Sequence, residues 1–330
     1  MKKMLVDSNG KVLTGLISTP VDEVNYKEYP FQLLSGYQVP EFLRPFFVNQ
    51  FIFLGISGND LFIGLAVIDL KYAANAFVYV YDQKNRQLIE EKKLALSKDV
   101  FISSQPDRCR SFFHTRGFTV DTDNGHFSVK TSQITLDVSI DLKNSMPLRL
   151  CTRAGYNGWV YTQKTTPIEL SGSLSINGQM LSIKSPNYMA LVDWTTGYMR
   201  RETFWNWAAI TTVLSDGRNF GMNLSCGVNE TSFTENAFVI DNVMTKVDMV
   251  HFDYDPKNLF TPWMIRSNDQ RISLRFEPDT HRSENINAWI VTSRFTQLMG
   301  RFSGHVQTDD GEMIYINNCP GWAEDHFARW

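Results

Sequence analysis

The feature that most constrains this chain is a strand pattern that occurs twice, in the same order. The run Phe62–Asp69 (FIGLAVID) leads to Asn75-Ala76-Phe77-Val78, and Phe220–Gly227 (FGMNLSCG) leads to Asn236-Ala237-Phe238-Val239. Later, Thr162-Gln163 precedes SGSLSINGQMLSI (Ser171–Ile183), and Thr296-Gln297 precedes SGHVQTDDGEMIYI (Ser303–Ile316). Each block reads strand, glycine-containing turn, strand. Aromatic punctuation follows each, Asp193-Trp194 in one and Gly321-Trp322 in the other. Two ordered matches point to a duplication, and two copies are too few for a solenoid. The expected division is 1–198, a β-domain with an N-terminal extension, and 199–330, a second β-domain.

The local signals are those of strands. Phe51–Ser57 and Leu61–Leu70 are apolar runs around the turn Gly58-Asn59-Asp60, and Asp216-Gly217 is a hairpin signal between Phe204–Val213 and Phe220–Cys226. Gly117–Asp121, His126–Thr131 and Gln133–Ile140 alternate with a period of two, as half-buried strands do. Glu41–Phe47 is expected to form at most a short turn, because Pro40 and Pro45 limit a helix. Open sheets expose edges that closure removes, and a closed barrel holds a small ligand. The fold class is therefore all-β: two tandem lipocalin-like antiparallel β-barrel or sandwich domains. An aromatic content of 13% suits such sheets and an apolar cavity.

The net charge of −3 and the lack of a Lys/Arg block exclude a nucleic-acid footprint; Arg200-Arg201 is the densest basic point. No apolar run approaches the roughly 18 residues of a membrane span. Asp7, Asn9 and Lys11 interrupt any signal-peptide core, so a cytoplasmic location is expected. Cys109, Cys151, Cys226 and Cys319 are scattered and read as reduced structural thiols. Asp253-Tyr254-Asp255-Pro256 lacks the spacing of a calcium loop, and no zinc, P-loop, dinucleotide or serine-hydrolase motif is present. Neither a metal nor a cofactor is expected.

Three polar-aromatic clusters are the candidate sites. Asp193–Trp207 (DWTTGYMRRETFWNW) supplies Asp193, Trp194, Trp205, Asn206 and Trp207, with Asn206 on the strand face opposite Trp205 and Trp207. The second cluster is Asn223, inside an apolar strand, with Glu235 and Asn236; the matching first-half positions read as Leu65 and Ala74. In the C-terminal GWAEDHFARW, Glu324 and His326 share one strand face and form a candidate acid/base pair. Trp330 is expected to tuck the terminus in. Asp193, Glu235, Glu324 and His326 are the catalytic candidates; Trp194, Trp205, Asn206, Trp207, Asn223 and Asn236 are the ligand-binding candidates. For each cluster the alternative is structural: tryptophans cementing an inter-domain interface, strand ends satisfied by hydrogen bonds, and an ion pair with Arg329 or Arg301. The polar asymmetry places the expected site in the second half or at the junction, with the first half as support.

The blocks STPVDEVNYK, ALVDWTTGYMRRETFWNWAA, GMNLSCGVNETSFTENAFVIDN, FDYDPKNLFTPWMIRS and GRFSGHVQTDDGEMIYINNCPGWAEDHFARW resemble a bacterial family described only as domain of unknown function number 2804. More distantly, the architecture is similar to lipocalin-like tandem proteins of the carotenoid hydratase and tocopherol cyclase type. That resemblance implies two barrel-like halves with an apolar ligand site near their junction, and it carries over no catalytic residue. The leading expectation is binding of an apolar small molecule without a chemical step. The alternatives are a cofactor-independent hydratase, isomerase or cyclase, and a protein-interaction module. An enclosed pocket with convergent ionisable groups favours catalysis; a purely aliphatic cavity favours carriage.

Overall fold

A computed structural model describes residues 2–58, 60–227, 233–288 and 291–329; Asn59, in the first turn read above, and Trp330 lie outside the described residues. The described chain is almost wholly antiparallel strand, in sheets of eight, seven and nine strands. The first two sheets use strands between Gly15 and Gly197, and the third uses strands between Glu202 and Arg329. This is the lipocalin-like all-β architecture expected.

The two strand sets are wired alike. Tyr188–Gly197 closes back on Asn49–Gly58, as Met313–Arg329 closes back on Glu202–Val213. The next two strands follow in the same order, Leu61–Asp69 and Ala73–Asp82 in one set, Asn219–Cys226 and Ala237–Ile240 in the other. The glycine-containing hairpins also match: Gly172 stands opposite Ile183, and Gly304 opposite Ile316. They differ in continuity. In the C-terminal set the hairpin is two unbroken strands, Val291–Gln307 and Met313–Arg329. In the N-terminal set the corresponding path changes sheet, running from Gly158–Ile168 into Leu170–Ile176 and returning through Gln179–Lys184 to Tyr188–Gly197. Register also corrects one matched position. Ala76 faces Val67 and Ala237 faces Asn223, so the counterpart of Asn223 is Val67, not Leu65.

Burial explains why some strands alternate and others do not. The seven-stranded sheet covers one core, and Ile134–Ile140 accordingly alternates buried and exposed. The eight-stranded sheet is covered on both faces, so Asn49–Gly58 and Leu61–Asp69 are buried almost throughout and read as continuous apolar runs. One face joins the first core through Ile52, Leu54 and Val67. The other packs Phe53, Phe62 and Tyr79 against Trp207, Met299 and Trp322 of the nine-stranded sheet. That sheet curls as a half-barrel around its own core of Phe220, Trp263, Phe276 and Phe302. Glu41–Phe47 is a seven-residue 3-10 helix. No helix among the described residues is long and apolar enough to cross a membrane.

The sheets dock through backbone as well as side chains. Ser57 Oγ donates to the Thr211 carbonyl at 2.8 Å, and Thr166 Oγ1 to the Ile210 carbonyl at 3.1 Å. Gly221 lies so close to the Thr166-Pro167 backbone that a Cβ there would stand 2.2 Å from the Pro167 nitrogen. Gly221→Ala must therefore push the two sheets apart. We expect a loss of about 1–3 kcal/mol, the usual cost of overpacking, read as a lower urea midpoint at unchanged slope.

Candidate functional site

Where the eight- and nine-stranded sheets meet, they line an open-mouthed cavity of about 430 Å3. Its wall is mainly apolar, with Phe53, Ala66, Ile68 and Phe77 on one side and Trp207 and Phe295 on the other. Two pairs of directly opposed residues bring polar chemistry into it. Lys164 stands cross-strand from Asp193, and Gln297 cross-strand from Glu324. Both carboxylates sit on the closing strand of their set. Asp193 faces Phe53, Glu324 faces Trp207, and those two rings meet edge to face at 6.1 Å.

The N-terminal pair is ionic. Lys164 Nζ donates to Asp193 Oδ2 and lies 3.3 Å from Glu235 Oε2. Thr195 Oγ1 donates to Asp193 Oδ1 at 2.9 Å, and Ser225 Oγ to Glu235 Oε1 at 3.0 Å. One ammonium thus faces two carboxylates. Burial opposes the Lys164 charge, but Asp193 and Glu235 outweigh it and hold its pKa above the ordinary lysine value. Burial raises the Asp193 carboxyl; Lys164 opposes that shift and Glu235 adds to it. The trio therefore keeps its cation.

The C-terminal pair has an amide where the first has an ammonium. Gln297 Nε2 donates to Glu324 Oε1 at 2.6 Å, and Trp205 Nε1 to Glu324 Oε2 at 3.2 Å. Donor-only groups set the direction of this chain. Trp322 Nε1 donates to Tyr79 Oη at 2.8 Å, Tyr79 Oη donates to Gln297 Oε1 at 2.6 Å, and the Gln297 amide must then turn its N–H towards Glu324. Tyr79 reaches this point because its ring lies over Gly64, where any side chain would collide with it. Burial drives the Glu324 pKa up to about 7, against the two donors that favour the carboxylate.

His326 follows on the same strand face, about 7 Å along the strand from Glu324. Its Nε2 is 3.1 Å from Ser293 Oγ, and its ring lies against Trp205 at 4.0 Å and Phe295 at 4.9 Å. Burial, with the nearby Arg282 charge, lowers its pKa to about 3, so the imidazole is neutral at pH 7. Arg282 itself is buried. Its Nε and Nη2 donate to Glu90 Oε1 at 3.0 and 2.8 Å, and the guanidinium lies 3.7 Å from the Phe77 ring centre.

Asp193, Glu235, Glu324, His326, Trp205 and Trp207 thus stand on the cavity wall. The other four candidates do not. Trp194 points to the opposite face of its strand and packs edge to face on Tyr161 in the first core, since neighbours on a strand alternate. Asn206 is turned away too; its Nδ2 donates to Tyr254 Oη at 2.9 Å. Asn223 supports the wall from behind: it accepts from Trp207 Nε1 at 2.8 Å and donates to the Glu235 carbonyl at 2.8 Å. Asn236 holds a loop, accepting from the Ser225 amide and donating to the Asp248 carbonyl. Sequence reasoning missed Lys164, Gln297, Arg282 and Ser225. Gln297 carried a signal in the Thr296-Gln297 match, but that match pairs it with Gln163, one residue short of Lys164, and a shift of one residue turns a side chain to the other strand face. Among the described residues no group of three or more His, Cys, Asp and Glu is placed to hold a metal. Burial pushes the Cys109 thiol up to about 11, as suits a structural cysteine.

The Glu324 shift has a stability consequence. Unfolded glutamate releases its proton near 4.5, whereas the folded protein holds it to about 7. Between these values the folded state binds more protons, so stability falls as pH rises through the window, by up to about 3 kcal/mol. Glu324→Gln should lack this component. Urea unfolding of both proteins at pH 4.5 and 7.5 checks it, as a gap in ΔG that shifts in favour of the variant at the higher pH.

The family model for Domain of unknown function (DUF2804) matches residues 1–330. No curated protein matches the sequence. Among solved structures, CghA with Sch210972 is similar over 98% of this chain and 96% of its own, at 9% identity and a TM-score of 0.53. CghA solved separately gives 8% identity, 99% and 96% coverage and a TM-score of 0.52. Kievitone hydratase from Nectria haematococca gives 10% identity, 85% and 88% coverage and a TM-score of 0.47. At these identities the likeness to CghA is one of fold.

Proposed function

The chain belongs to the DUF2804 family, whose description assigns no activity, and from the site itself we propose a cofactor-independent enzyme that performs acid catalysis on an apolar small molecule in the junction cavity. The observation that carries this reading is Glu324, a buried carboxyl on an apolar wall with a pKa of about 7. A binding cavity needs no such group, and burying one is costly. A general acid works best with its pKa near the working pH. Glu324 holds a proton for much of the time at neutral pH. When it gives that proton up, Gln297 and Trp205 already point at the carboxylate left behind. The same carboxylate can then take a proton back from another position of the ligand. That cycle suits isomerisation or cyclisation; where water enters, it suits hydration.

Lys164 supplies the second function. An ammonium has three donors, and two are directed at Asp193 and Glu235. The third is available to an oxygen of the ligand, which would be fixed while Glu324 acts on the hydrocarbon part. Phe53, Phe77 and Trp207 shape the remainder.

The test is to incubate the purified protein with an organic extract of the cells that make it and follow the masses. We expect one apolar component to be consumed, with a product of equal mass or one differing by a water. A component that co-purifies and is returned chemically unchanged would establish carriage instead.

A further inference from the structure

Glu324 stands on the nine-stranded sheet, but the hydrogen-bond chain that reaches it passes through a residue of the eight-stranded sheet. Tyr79 crosses the junction and ends between Trp322 and Gln297. It is fully buried, and burial raises its phenol far above the ordinary tyrosine value, so it keeps its proton throughout the neutral range. Its ring is held over Gly64 with Phe77 stacked alongside. The Trp322 indole can only donate, so Tyr79 Oη accepts from it, and the single phenolic proton is left for Gln297 Oε1.

An amide presents an oxygen on one side and a nitrogen on the other. With its oxygen claimed by Tyr79, Gln297 offers Glu324 only N–H. That donor suits the carboxylate and not the acid form, whose proton needs an acceptor. Without the Tyr79 hydroxyl the amide is free to turn over and accept from protonated Glu324. We propose that Tyr79 is the positioning residue of this acid: it fixes the Gln297 amide with its N–H towards Glu324, so that the docking of one sheet governs proton release by a group on the other. The inference rests on reading Glu324 as the proton donor.

The charges around Glu324 do not take this part. Lys164 and Asp193 act on it from the eight-stranded sheet, with Glu235 beside them. His326 follows on its own strand, and Arg282 stands cross-strand from Gln297, paired with Glu90. Among the described residues none of these six hydrogen-bonds to the side chain of Gln297 or Glu324, whose partners are Tyr79, Trp205 and each other. Tyr79→Phe therefore leaves the charged surroundings in place and alters the amide.

Carbon NMR of protein labelled at the glutamate carboxyl carbon reads the Glu324 titration directly, with Glu324→Gln to assign the signal. The wild type should titrate at about 7. Tyr79→Phe keeps the ring and removes the hydroxyl, and its midpoint should rise by about one pH unit, the worth of one hydrogen bond. The falling limb of the rate profile should move up with it. Gln297→Leu should also raise the midpoint, and adding Tyr79→Phe to it should raise it no further, because Tyr79 acts through the amide. Ser57→Ala removes another buried hydroxyl between the sheets, outside the cavity wall, and should leave the midpoint unchanged. An unmoved midpoint in Tyr79→Phe, an equal rise in Ser57→Ala, or a full further rise in the double variant overturns the proposal. If Tyr79→Phe does not fold, Trp322→Phe takes its place: it frees the Tyr79 hydroxyl to accept from the Gln297 amide and should raise the midpoint, and an unmoved midpoint there overturns the proposal equally. A raised midpoint in proteins that turn nothing over sustains the positioning role and counts against catalysis; an unmoved midpoint with turnover intact does the reverse.

Discussion

Glu324→Gln should reduce turnover of the consumed component by about 10²–10⁴-fold while leaving uptake of a neutral apolar dye intact. The glutamine side chain nearly matches glutamate in volume and keeps an oxygen to accept from Trp205 or Gln297. It has no proton to give at any accessible pH. The loss should therefore appear in kcat, with little change in KM. The wild-type rate should fall as the pH rises through about 7, because the acid form of Glu324 is depleted there. A variant with wild-type turnover, or one that loses dye binding in proportion, would remove Glu324 from the catalytic role.

Lys164→Met should be the most destabilising single substitution at the site, by about 3–5 kcal/mol in urea unfolding at neutral pH. The reason is the charge left behind. Asp193 and Glu235 share this ammonium, and both side chains are buried. Removing it leaves two buried acidic side chains on an apolar wall without the cation they share. The triple variant Lys164→Met/Asp193→Asn/Glu235→Gln removes both charges as well and should recover much of the loss. Equal instability of single and triple variants would mean that shape, not charge, is what Lys164 contributes.

The matched pairs explain the asymmetry visible in the sequence. Asn223, Glu235, Glu324 and His326 all lie in the second half, which suggested a site carried there with the first half as support. The register shows a more even division. Each strand set presents one carboxylate from its closing strand, Asp193 or Glu324, and one cross-strand partner, Lys164 or Gln297. The chemical difference lies in the partner. Burial raises both carboxyl groups; at Asp193 an ammonium opposes that shift, whereas at Glu324 two neutral donors oppose it and the pKa reaches about 7. In GWVYTQKTTPI nothing local distinguishes Lys164, which sits among threonines and glutamine, where a strand lysine normally faces solvent.

Some of this protein was settled by local residue order. Apolar runs too continuous for a one-sided sheet, the period of two over Ile134–Ile140, and the repeated NAFV and SG hairpin blocks determined an all-β chain wired in two similar sets. Alternation also determined that Trp205 and Trp207 share one face and Glu324 and His326 another, because strand geometry fixes which side chains are neighbours. Which face met the cavity was decided only by tertiary structure. Trp194 and Asn206 point away from it, and Asn223 and Asn236 hold its wall from behind. Lys164 and Asp193 on neighbouring strands meet Glu235 from a segment distant in the chain, and Glu324 meets a polar chain that starts at Trp322 and passes through Tyr79. Ionisation in a buried site depends on the surrounding dielectric and on charges within a few ångströms, and these are properties of packing, not of residue order.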